Sequence, residues 1–232
     1  MTVKEAINGF LEMVSERQGK ISQDTQWSYR LIYSYLLQFR ARILSERKNK
    51  KQQHSRHNIQ TIPCISLEKV DMNECPCIPA SGCIFLKSKY PIPRAATNNY
   101  ISVTSVLGNK TYDYIRWENF DDMINSKNKA ERTKPYYTIK SFGKESHLYI
   151  YSDNDKETVS ATLIAENPLE VIGYPNCGKE VNICNPMDEL FIIDMDTLQL
   201  IYGMMFDMLL KVKQTTTPEI YNNQEPDIAK AP

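Results

Sequence analysis

Six cysteines are the residues of this chain best suited to do chemistry. Cys64, Cys75, Cys77 and Cys83 fall within 20 residues, separated by ten, one and five others, around the stiff stretch Glu74-Cys75-Pro76-Cys77-Ile78-Pro79. Four thiolates can hold zinc in a tetrahedron, but structural zinc sites usually draw their ligands from two Cys-x-x-Cys-like knuckles, and no such pair occurs here. Cys177 and Cys184 form a second, looser pair. The expectation is small, buried, reduced thiols in a Pro-rich loop. A metal held by Cys64, Cys75, Cys77 and Cys83 stays open as the alternative. A disulfide across Cys75-x-Cys77 would be strained.

The three histidines add little. His54 and His57 sit among Asn, Gln and Lys, and His147 opens a strand-like run. A nucleophile needs a base and an orienting group beside it. No Gly-x-Ser-x-Gly, His-Glu-x-x-His or phosphate-cradling Gly-rich loop occurs, and glycine numbers only 8 in 232 residues. Asp121-Asp122 and Asp194-x-Asp196 read as helix caps, not as acid/base pairs. No catalytic, cofactor-binding or metal residue is assigned, and an enzyme is not expected.

Charge is the remaining signal. Lys+Arg and Asp+Glu are equal at 28 each, so no global excess calls for nucleic acid or for a basic partner. The balance hides an asymmetry. Between Arg40 and Gln60 stand Arg40, Arg42, Arg47, Lys48, Lys50, Lys51 and Arg56 against Glu46 alone, a local charge of +6. From Glu180 to the end, nine acids face three lysines, a local charge of −6. Unlike poles on one chain suit head-to-tail or stacked assembly. The seven cations are the candidate assembly or DNA-proximal contacts, because each phosphate neutralised adds salt-sensitive affinity. Two solvated faces would give the same pattern.

The elements that must carry these residues follow from periodicity. Thr2-Val3-Lys4-Glu5 has capping-box form, and Val3, Ala6, Ile7, Phe10, Leu11 and Val14 follow at helical spacing over residues 3–17. A second helix is predicted from about Asp24, as its N-cap, to Lys48, apolar on more than one face and basic in its last turns. The middle reads as short strands: residues 61–70, 83–88, 100–106, 111–115, 135–141, 148–151 and 158–165, with a hairpin turn at Gly108-Asn109. A short helix is predicted over 117–125 and another from Asn167-Pro168, then a brief strand over 189–193. A last helix, capped by Asp194 or Asp196, runs to about Lys213 and leads into a polar tail. The fold class is α+β: an N-terminal helical hairpin and a C-terminal helix around an antiparallel β-sandwich or barrel-like middle. The organisation is a helical region with basic loop (1–58), a β-rich middle (59–166), an α/β region packing back on the helices (167–213) and an extended tail (214–232). No apolar run approaches a membrane span, and Lys4, Glu5 and Glu12 break up any leader-like stretch, so folding is expected in a cytosol.

Four segments in order carry a resemblance. They are the helix Trp27 to Leu44 with the basic, Gln-rich Glu46 to Gln53; Ile59-Gln60-Thr61-Ile62-Pro63-Cys64-Ile65 with Glu74 to Cys83; Leu86-Lys87-Ser88-Lys89-Tyr90-Pro91-Ile92-Pro93; and Met187 to Ile193 followed by a helix and a tail with Asn222-Asn223. This order, over most of residues 24–232, resembles the ring or adaptor proteins of the head-to-tail connector in crAss-like tailed phages. The resemblance implies a non-enzymatic virion structural subunit of the phage neck or tail. It would form a ring, usually twelvefold, stacked under the portal and extending the DNA channel. Its partners would be copies of itself, the portal and neighbouring ring or tail proteins, with non-specific contact to packaged DNA and neither membrane nor small-molecule substrate. Assembly would take place in the host cytoplasm, without cofactors. The alternative on residues alone is a small regulatory or nucleic-acid-binding module with a cysteine-held metal.

Overall fold

The computed structural model describes residues 1–18, 27–70, 85–97, 100–119, 122, 127–128, 134–143, 145–152, 154, 156–177, 179 and 181–215. Helix α1 is Val3–Gln18 and α2 is Tyr29–Asn49. Seven strands follow among the described residues: β1 Gln60–Lys69, β2 Phe85–Ser88, β3 Ser102–Ser105, β4 Thr111–Tyr114, β5 Tyr136–Phe142, β6 Glu145–Tyr151 and β7 Lys156–Leu163. Later come the short helix α3, Pro168–Ile172, and the long helix α4, Met195–Thr215.

The strands close into a barrel in the order β1-β2-β6-β5-β4-β3-β7. All neighbours are antiparallel except β4 and β5, which run parallel. Closure removes every exposed sheet edge. A seven-strand barrel is narrow enough for side chains to fill, and Ile62, Leu67, Leu86, Val103, Leu148, Ile150, Val159 and Leu163 fill this one together with Tyr100, Tyr112 and Tyr137. Pro63 has no N–H to give to the ladder. There the β1–β7 register slips, Ile62 facing Ala161 but Ile65 facing Val159, so β1 carries one extra residue as a bulge. Both Cys64 and Ile65 are consequently buried. Gly108 turns the β3–β4 hairpin with φ +72°, a value glycine adopts without strain.

Against the barrel lies a helical layer. Val3, Ile7, Phe10 and Val14 of α1, Ile32, Leu36 and Ile43 of α2, and Leu198, Ile201, Met205 and Leu209 of α4 share one core. Leu44 of α2 packs on Ala96 and Ile164 and so joins that layer to the barrel. The caps are local chemistry. The Thr2 amide donates to Glu5 and the Glu5 amide to the Thr2 hydroxyl, the expected reciprocal box. Asn167 caps α3 with Pro168 at its first position. Asp194 caps α4 by accepting from the Thr197 amide at 2.9 Å.

Three local expectations change. Ser28, not Asp24, caps α2, its hydroxyl accepting from the Leu31 amide; Asp24 lies outside the described residues. The helix expected over 117–125 opens on a 3-10 turn at Trp117–Asn119, and Asp122 is α-helical; its remaining residues lie outside the described ones. The strand expected over 189–193 is one bridge between Leu190 and Thr2, because the chain's start docks there by backbone bonds from Val3 to Glu189 and from Phe191 to Met1. The tail expected over 214–232 lies, beyond Thr215, outside the described residues.

The end of α2 is unusual. The Gln52 amide donates to the Arg47 carbonyl and the Lys51 amide to the Lys48 carbonyl, the six-to-one and five-to-two pair of a Schellman stop. The residue at its left-handed position is Lys51, with φ +53°. Glycine is the residue favoured there, and a side chain costs roughly 1 kcal/mol. Lys51→Gly is therefore expected to raise the unfolding free energy by about 0.5–1 kcal/mol in urea denaturation. A loss of stability would show that the lysine side chain supports the fold.

Candidate assembly surfaces

The basic run divides once it is folded. Arg40 lies inside the subunit at 0% exposure. Its Nε donates to the Ile192 carbonyl at 3.1 Å, and its Nη1 donates to the Ala165 carbonyl and, at 3.4 Å, to that of Glu166. Burial pulls its guanidinium down to about 10, with Tyr33 and Asp194 pushing back, so it stays charged at neutral pH. Arg40 thus ties α2 to the end of the barrel and to the segment before α4.

Arg47 and Lys48 also work within the chain. Arg47 donates to the Thr197 hydroxyl at 2.7 Å and stands 3.7 Å from the Asp194 carboxylate, and Lys48 donates to the Thr97 carbonyl. Asn58 holds the same aspartate, giving its side-chain amide to the carboxylate and accepting from the Asp194 backbone. Burial pushes the Asp194 carboxyl up, but Thr197, Asn58 and Arg47 outweigh it and hold it below the usual carboxylate range. The basic pole and the acidic pole therefore partly meet inside one subunit. Arg42 pairs with Glu46 one turn along α2, both exposed, a contact of small energy. That leaves Lys50, Lys51 and Arg56 exposed on the loop after α2, with Gln52, Gln53 and His57. His54 sits behind them, its imidazole pushed down by burial and by Arg47 and Lys48.

The cysteines differ from expectation. Cys64 and Cys177 are not reduced thiols: they form a disulfide across 113 residues of sequence. Cys64 therefore has no thiolate for a metal, and Cys75, Cys77 and Cys83 lie outside the described residues. Cys184 is exposed and free. Among the described residues no group of three or more His, Cys, Asp or Glu side chains is arranged to hold a metal ion.

A second surface was not visible in the sequence. A groove of about 720 Å3 opens between the Tyr90–Arg94 segment, the start of β6 and α3. Glu145, Glu166 and Glu170 line it, all exposed, with Arg94 as the cation. Tyr90, Ile92 and Tyr174 provide its apolar wall. Glu166 and Glu170 stand four residues apart at the start of α3, and the fold brings Glu145, from the start of β6, to the same groove. Apolar side chains are also exposed, among them Leu107 at 86% on the β3–β4 hairpin tip, and Leu190, Met195 and Leu200 around α4. No described helix is long and apolar enough to cross a membrane.

A narrow barrel, a helical layer, an exposed basic loop, an acidic groove and exposed apolar tips make a body with several contact surfaces. Comparison with protein families gives a match to phage tail ring protein 2 over residues 10–228. This chain belongs to that family. Membership makes it a virion protein of the phage tail and a structural ring subunit, one that meets copies of itself and other tail proteins. The resemblance to crAss-like ring proteins is borne out, and the family extends it N-terminally, from residue 24 to residue 10. No curated protein sequence matches the chain. Membership in the ring family gives the exposed loop, groove and apolar tips a reason that a solitary protein would not have.

Proposed function

We propose that this protein is a ring subunit of the phage head-to-tail connector, stacked below the portal and lengthening the channel through which DNA leaves. The ring is twelvefold. The match to the tail ring family carries this reading. The surface supports it: a closed ring repeats one heterologous contact around an axis, so each subunit must offer two different patches. The exposed cations Lys50, Lys51 and Arg56 are the contacts to a neighbour or to packaged DNA. The protein works without catalysis or cofactor. A regulatory module built on four cysteine ligands loses support because Cys64 spends its sulfur on Cys177.

Electron microscopy of the purified protein, alone and mixed with portal and the other tail proteins, tests the reading. Closed twelvefold rings, stacked coaxially with portal, are expected. A protein that stays a single subunit in every mixture defeats it, and rings of another order defeat the stoichiometry alone.

A further inference from the structure

We propose that the groove lined by Glu145, Glu166 and Glu170 receives the basic loop of Lys50, Lys51 and Arg56 from a second copy of this chain, and that this is the repeated contact of the ring. The inference rests on the ring-subunit reading and adds which surfaces meet.

Charge selects the partner. The groove presents three exposed carboxylates, and its cation Arg94 is engaged with the Gly143 carbonyl at 3.4 Å. The loop presents Lys50, Lys51 and Arg56, all exposed, spaced by Gln52 and Gln53. Long flexible cations reach carboxylates easily, and the Lys and Arg stems can lie on Tyr90 and Ile92.

Two further observations point to an occupant. Tyr174 lines the groove at 4% exposure, yet its hydroxyl has no hydrogen-bond partner among the described residues. Buried phenols normally find one, and an incoming glutamine or backbone group supplies it. On the other side, Lys51 occupies a left-handed position where glycine would sit more easily. Strain of that kind is kept where a side chain is needed.

Loop and groove lie at different points along α2. Arg40 in the middle of α2 donates to the Glu166 carbonyl, and Lys50, the C-cap of α2, lies ten residues further along. At the rise of an α-helix that is about 15 Å. Loop and groove are therefore separate patches on one body, the arrangement that produces a head-to-tail contact.

Charge reversal in the full-length protein tests this. One variant carries Glu145→Lys, Glu166→Lys and Glu170→Lys; the other carries Lys50→Glu, Lys51→Glu and Arg56→Glu. Self-association is read by sedimentation, alone or on the neighbouring tail proteins, with melting curves to confirm folding. Each variant alone is expected to associate about tenfold or more weakly, since like charges then face each other. An equimolar mixture is expected to recover assembly, because each variant's loop now matches the other's groove. Lys51→Gly is expected to associate more weakly while melting higher, which separates contact from fold. Wild-type rings that persist in both variants, or folded variants whose mixture fails to recover, overturn the pairing and leave the ring reading standing. A wild type that never assembles removes both.

Discussion

Replacing Arg40 with alanine is expected to lower the unfolding free energy by about 3–5 kcal/mol, the largest loss for any single polar side chain of this protein. Arg40 is fully enclosed, and its guanidinium satisfies carbonyls of Ala165, Glu166 and Ile192. Those carbonyls belong to the chain just past β7 and just before α4, so one side chain joins the barrel, α2 and the approach to α4. Truncation leaves buried carbonyls without donors, at roughly 1–3 kcal/mol for each fully desolvated group, and opens a cavity besides. For a chain of this length the melting temperature should fall by about 10 °C. Arg40→Lys keeps the charge but not the planar fork, and is expected to recover less than half of the loss. Urea denaturation of the three proteins checks this. A loss below about 1 kcal/mol for Arg40→Ala would show that water or rearranged backbone replaces the guanidinium.

Arg40 also shows where sequence reading stops. In the sequence it is one of seven cations in a run, indistinguishable from Lys50 or Arg56. Helical phase puts it four residues after Leu36 and three before Ile43, on the buried stripe, and that phase was the available clue. Features fixed by near neighbours were legible: the Thr2–Glu5 box, the Asn167-Pro168 start, the Gly108 turn and the alternating strands. They depend on side chains within three or four positions of the backbone groups they satisfy. The barrel's closing order, the parallel β4–β5 pair and the meeting of Glu145 with Glu166 and Glu170 depend on contacts between distant segments, which no local pattern encodes. Ser28 won over Asp24 as cap of α2 because both are competent and only packing sets the entry point.

The Cys64–Cys177 bond is the other distant pairing, and its removal has the second large expected effect. It closes 113 residues, a stretch holding all of β1's partners and α3. By chain entropy a loop of about this size is worth roughly 4–5 kcal/mol, and native disulfides commonly give 2–5. Cys177→Ser, or reduction of the wild type, is therefore expected to lower stability by about 2–5 kcal/mol, while Cys184→Ser at the exposed free thiol should stay within about 0.5 kcal/mol. The effect should reach assembly as well. Cys177 stands two residues past Pro175, and Gly173, Tyr174 and Pro175 form one wall of the acidic groove. The bond pins that wall to β1, so losing it frees the wall and raises the ordering cost of docking a neighbour. Urea denaturation and sedimentation, each run with and without reductant, separate the two consequences. Reductant that moves neither the unfolding midpoint nor the assembly would mean that β1 and the wall are held by packing alone. Reductant that lowers stability but leaves assembly intact would place the neighbour's contact away from this wall.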